Sequence, residues 1–155
     1  MEEHQQRKRD VGGNMPIANY STTVTALKSI GEIQGILVSR GAEHILMDYK
    51  DGEPIGLSFI VKTQFGETPF RLPANIERVQ AVLNKQRVRT RVERDMAARV
   101  AWRILKDWVR AQMAILETEM VSIEQVFLPY MQTQNGRILF DVMIDHHLQL
   151  PGGQG

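Results

Sequence analysis

Nine basic side chains crowd positions 85–110: Lys85, Arg87, Arg89, Arg91, Arg94, Arg99, Arg103, Lys106 and Arg110. Only Glu93, Asp95 and Asp107 oppose them, a local surplus of six positive charges. The next 45 residues, 111–155, reverse the sign, with Arg137 facing Glu117, Glu119, Glu124, Asp141 and Asp145. Guanidinium and ammonium groups set along a track are what phosphate binding requires. They neutralise backbone charge without reading sequence, and arginine's planar fork meets phosphate oxygens two at a time. The basic segment could therefore meet a polyanion, or the acidic half of another copy of the chain.

Spacing sharpens the first reading. At about 100° per helical residue, Arg103, Lys106 and Arg110 fall within roughly 40° of Arg99. The four form one stripe about 16 Å long. With Arg87, Arg89 and Arg91 before them, they are the expected nucleic-acid-binding residues for DNA or RNA, the stripe itself lined up toward water. Stacking on single-stranded bases would need exposed aromatics. Trp102 and Trp108 keep apolar company and read as core, so Phe65, in the turn QFGE, is the better candidate.

Other constellations carry less. His146 and His147 are adjacent, about 100° apart on a helix, whereas a helical metal pair sits four residues apart. No G-x-S-x-G, P-loop or dinucleotide glycine pattern occurs, and the chain has no cysteine for thiol chemistry or a disulfide framework. Asp48, Asp51, Asp141 and Asp145 are the evident carboxylates for a hydrolase or nuclease, and they require a shared cleft. The expectation is a non-enzymatic protein without cofactor or metal.

The elements that must position the stripe can be read in order. With 155 residues, 43% hydrophobic and 24% charged, the chain suits one soluble domain spanning 15–150, between a disordered extension (1–14) and a flexible tail (151–155). Met15 is an alternative start. MEEHQQRKRD lacks the apolar run of a secretory signal, and no apolar run nears the ~18 residues of a membrane span. A first helix capped near Thr25 buries Leu27, Ile30, Ile33 and Leu37 and ends at Gly41. Gly31 and Gly35 within it suggest close packing of a neighbour. Strands follow at 44–49, 54–63 and 68–73. An Asp-Gly turn joins the first two, and Ile55, Leu57, Phe59 and Val61 share one face. Pro69 places the third strand at an edge.

Asn75 caps a second helix with Ile76, Val79, Val82 and Leu83 inward. Thr90 and Glu93 have the form of a capping box and predict one long helix over 91–120. Ser122 and Gln125 repeat the form after a break near Val121. Pro129 ends a short helix, Asn135-Gly136 turns the chain, and 137–148 reads as a last helix, its first half also compatible with extended chain. The fold class is α+β: an N-terminal helix, a three-stranded antiparallel β-meander, then a mainly helical C-terminal half with one long central helix. That helix is apolar around more than half its girth. Val100, Ile104, Trp108, Ala111 and Ile115 form one flank. The surplus implies either a position inside the domain or an interface, for a homo-oligomer or for capture of a host protein.

The element order over 24–86 resembles that of a double-stranded RNA-binding domain. That family's second helix opens on a lysine cluster, whereas this one opens on NIERVQ, with Glu77 and Arg78, so the likeness is of topology. The phrases MPIANYSTTV, IGEIQGILVSRGA, FRLPAN, RVAWRILKDWVRAQMAILETEMV and QVFLPYM resemble a family of small uncharacterised bacteriophage and prophage proteins across about residues 15–150. The resemblance implies a bacterial host cytoplasm, a setting of nucleic-acid handling or control of a host protein, and no catalytic positions.

Overall fold

Thr25 opens the first helix of the computed structural model, which describes residues 16–86 and 90–146. Its hydroxyl accepts the Lys28 N–H at 3.2 Å, satisfying a donor that the first helical turn leaves free. This helix, α1 (Ala26–Ser39), buries Ile30, Ile33 and Leu37. Gly41, at φ +95°, turns the chain out of it. Leu27, expected inward, is 73% exposed. It lies three residues ahead of Ile30, in the opening turn, where nothing covers it. The two helical glycines are not packing sites either, since a Cβ built at Gly31 or Gly35 meets no atom within 4 Å.

The meander follows as expected: β1 (His44–Lys50), β2 (Glu53–Thr63) and β3 (Gly66–Pro73), antiparallel in the order β1-β2-β3. Asp51 and Gly52 both take positive φ, 51° and 78°, the conformation of a two-residue turn matched to strand twist. Leu57, Phe59 and Val61 point into the core beside Phe70 and Leu72. Pro69 lies on an edge strand, and its carbonyl accepts the Gln132 N–H at 2.8 Å. Its missing donor therefore breaks no ladder.

A helical layer covers the inner face. The long helix α3 (Arg94–Glu117) is central, with α1 along one side and α2 (Ile76–Gln86) along the other. The helix–strand–strand–strand–helix order over 24–86 thus gains a third helix to which both others are tied. Trp102 is fully buried, and its indole N–H donates to the Pro54 carbonyl at 3.2 Å, joining α3 to the start of β2. Val82, expected inward on α2, is exposed. Ile76 and Leu83, seven residues apart, supply the buried side instead.

The capping box at Thr90 and Glu93 does not form. Helix α3 starts three residues later than expected, and Glu93 precedes it without a side-chain cap. Val92 is responsible: it is buried, its N–H donates to Asn84 Oδ1 at 2.7 Å, and its carbonyl accepts from Gln80 Nε2 at 3.0 Å. A backbone already satisfied by α2 has no reason to coil. The second box does form, with Ser122 and Gln125 bonded reciprocally at the head of α4 (Ile123–Phe127). That α-helix ends ahead of Pro129, as expected, and the chain tightens into a 3-10 turn, Leu128–Tyr130, that holds the proline. Ile138 bridges Gln132 in extended form, and α5 (Leu139–Asp145) is shorter than expected. Phe127 completes the core, its ring 5.5 Å from Phe59 and 5.5 Å from Trp108. No described helix is long and apolar enough to cross a membrane.

Candidate nucleic-acid interface

The middle of the basic stripe of α3, Arg103 and Lys106, does not face water. It faces α1, and the carboxylate that meets it, Glu32, comes from 71 residues earlier in the chain. Glu32 Oε2 accepts from Arg103 Nη1 at 2.7 Å and lies 3.9 Å from Lys106 Nζ. Lys106 also reaches Asp107 Oδ1 at 2.6 Å. Arg99 pairs with Asp95 one turn back. The side chains of Arg103 and Lys106 are only 11% and 10% exposed. Arg110 alone of the four is exposed with no carboxylate in ion-pair reach among the described residues.

Charge pairing extends beyond the stripe. Arg94 donates to Glu53 at 2.6 Å and to Glu77 at 3.0 Å, closing the helical layer onto β2 and α2. The Glu77 carboxyl is held below its ordinary value first by a backbone N–H at the head of α2 and then by Arg94. Asp107 is lowered by the Lys106 ammonium, with help from the Asn19 amide. Glu124 is lowered by the Ser122 hydroxyl and by the Gln64 N–H, which fixes α4 against the β2–β3 turn. These groups act as structural ties.

The unpaired cations lie elsewhere. Arg78 and Lys85, seven residues apart on α2, fall within about 20° of each other and opposite Ile76 and Leu83. Both are exposed, and no described carboxylate is within ion-pair distance of either. Arg91 is likewise exposed and unpaired among the described residues. It is pinned beside α2 by the two hydrogen bonds of its neighbour Val92. Arg87 and Arg89, in the same connection, lie outside the described residues. Arg91 and Arg110 thus remain available as anticipated, Arg99, Arg103 and Lys106 do not, and Arg78 and Lys85 join. Their signal was present in the sequence as an i, i+7 basic pair facing away from the apolar side of α2.

Phe65 is 66% exposed at the β2–β3 tip, at the opposite end of β3 from the start of α2. The apolar flank of α3 is covered toward its start and open toward its end. Val100 is buried, while Ile104 and Trp108 are half-buried along a groove of 260 Å³ shared with Val79, Leu105 and Tyr130. Ala111 and Ile115 are exposed. For the carboxylate chemistry, Asp48 pairs with Arg71 and Asp145 with Arg137. Among the described residues no three acidic or histidine side chains come together in a metal-holding group. His146 is exposed, and His147 lies outside the described residues.

No protein-family model matches the chain, and no curated protein or solved structure matches it either.

Proposed function

We propose that this is a non-enzymatic nucleic-acid-binding protein, working in the phage setting its sequence suggests, that contacts phosphates through the outer face of α2 and the segment after it. The observation that carries the reading is the exposure of Arg78, Lys85 and Arg91 with no described carboxylate in ion-pair reach, the first two on the outer face of α2 and the third in the segment that follows it. A cation already held by a carboxylate gives up that partner to reach a phosphate; a free one exchanges only water and counterions. Contacts of this kind supply affinity without base choice, so the binding is weakly sequence-selective.

Fluorescence polarisation with single- and double-stranded DNA and RNA at two salt concentrations tests it. Binding should weaken steeply as salt rises. Replacing Arg78, Lys85 and Arg91 by alanine should lower the duplex salt slope by about 2–3, close to 0.9 per lost phosphate contact. Absence of binding at low salt would end the proposal.

A second reading, a protein-interaction module, rests on the groove between α2 and α3. Ile104, Leu105 and Trp108 stay half-buried there beside Val79 and Tyr130. Native mass spectrometry reads its self-association branch: a monomer at all concentrations removes the homo-oligomer and leaves a host protein as the partner.

A further inference from the structure

The cleft between α1 and α3 is a different kind of place from the α2 surface. Its volume is 580 Å³, within the usual range for small-molecule sites. One wall carries Arg103, Lys106 and Arg110, and the other carries Glu32, Gly35 and Ile36. Three cations face one carboxylate along this lining.

Hydrogen-bond supply is short as well. Arginine has five N–H donors, yet the described acceptor for Arg103 is the single oxygen Glu32 Oε2. Its Nε–H is buried with no acceptor. Holding a cation away from water with few acceptors is unfavourable, and an anion in the cleft offsets the excess charge and adds acceptors for the guanidinium Nη donors that Glu32 leaves over. Gly35 is the second observation. A glycine in mid-helix weakens the helix, and here no neighbour needs the space, since a Cβ would meet nothing within 4 Å. What the missing side chain leaves open is the cleft.

We infer that this cleft binds the terminal phosphate of a small phosphomonoester. A phosphate dianion answers the excess of cations, three against Glu32 and the Asp107 carboxylate beside Lys106, and offers several acceptor oxygens to the Arg103 fork and to Arg110, which has no described carboxylate in reach. The remaining volume, along Gly35 and the half-buried Ile36, takes the organic part. The site is separate from the α2 surface and does not depend on nucleic-acid binding.

An amide-resolved NMR titration of the full chain with inorganic phosphate, adenosine monophosphate and a sugar phosphate tests it, with sodium acetate of matched ionic strength as the control. Saturable shifts confined to residues 35–39 and 103–110, absent with acetate, are expected. Gly35→Leu, which fills the cleft from an open helical position, should bind at least about tenfold more weakly while keeping the wild-type fold. Arg103→Met should weaken binding similarly, and Arg78→Ala should leave it unchanged. Tighter binding of the esters than of inorganic phosphate supports the assignment as stated; equal binding assigns the cleft to the free anion and overturns the ester. Shifts that fail to saturate, or Gly35→Leu binding as well as the wild type, would overturn the site itself.

Discussion

Arg78 and Lys85 on α2 and Arg103 and Lys106 on α3 are the same residue types, each pair on one side of its helix, yet the first pair stands in solvent and the second is nine-tenths withdrawn from it. The difference lies in what each helix face meets. Arg78 and Lys85 have no described carboxylate within ion-pair reach, whereas the basic face of α3 lies under α1, which presents Glu32. A row of cations on a helix therefore does not announce a wet face. Lysine and arginine stems are apolar enough to be buried when a carboxylate waits at the end.

Breaking the seat of α3 should have the largest effect. Trp102→Ala removes the biggest fully buried side chain and its bond to the Pro54 carbonyl. A loss of about 3–5 kcal/mol is expected in urea unfolding, and a loss under about 1 kcal/mol would mean the helix is held mainly by other contacts.

Removing the carboxylate that separates the two regions comes next. Glu32→Ala leaves Arg103 and Lys106 short of their shared partner. Glu32 itself is 37% exposed, which reduces the cost to about 1–2 kcal/mol. The matching change on α2, Arg78→Ala, should stay within about 0.5 kcal/mol. Equal costs for the two would erase the contrast between buried and free cations.

Acid sharpens the same contrast. Because the folded Asp107 carboxyl is lowered, first by Lys106, its contribution is present above the unfolded value and is lost as pH falls through the folded one. Unfolding free energies measured from about pH 5 downward should decline, and Lys106→Met should flatten that part of the decline.

The smallest change is a gain. Gly31→Ala fills open space on α1 and should stabilise the protein by about 0.5–1 kcal/mol, read as a rise in melting temperature. A loss would show that the position is crowded after all.

Much of the fold was legible because its signals are local. Alternation at Ile55, Leu57, Phe59 and Val61 marks a strand, Asp51-Gly52 fixes a hairpin, and Ser122 with Gln125 caps a helix wherever the rest of the chain goes. Local rules failed where a distant partner competed. Thr90 and Glu93 have the capping-box residues, but Gln80 and Asn84 hold the Val92 backbone extended and keep the box out of the helix. Leu27 and Val82 fit an apolar period and still point outward, since periodicity cannot say where a helix's cover stops. The candidate site was half legible. The excess of cations and the alignment of four of them on α3 are readable from spacing, but which of them remain free is not.

The order of local preferences along the chain set the helices, the meander and the angular positions of the charges, because each depends on neighbours a few residues away. Only the packed structure decided which charges are spent on internal ties and which stay available. That outcome depends on Glu32 arriving opposite Arg103 from 71 residues away, and on no carboxylate among the described residues arriving within reach of Arg78.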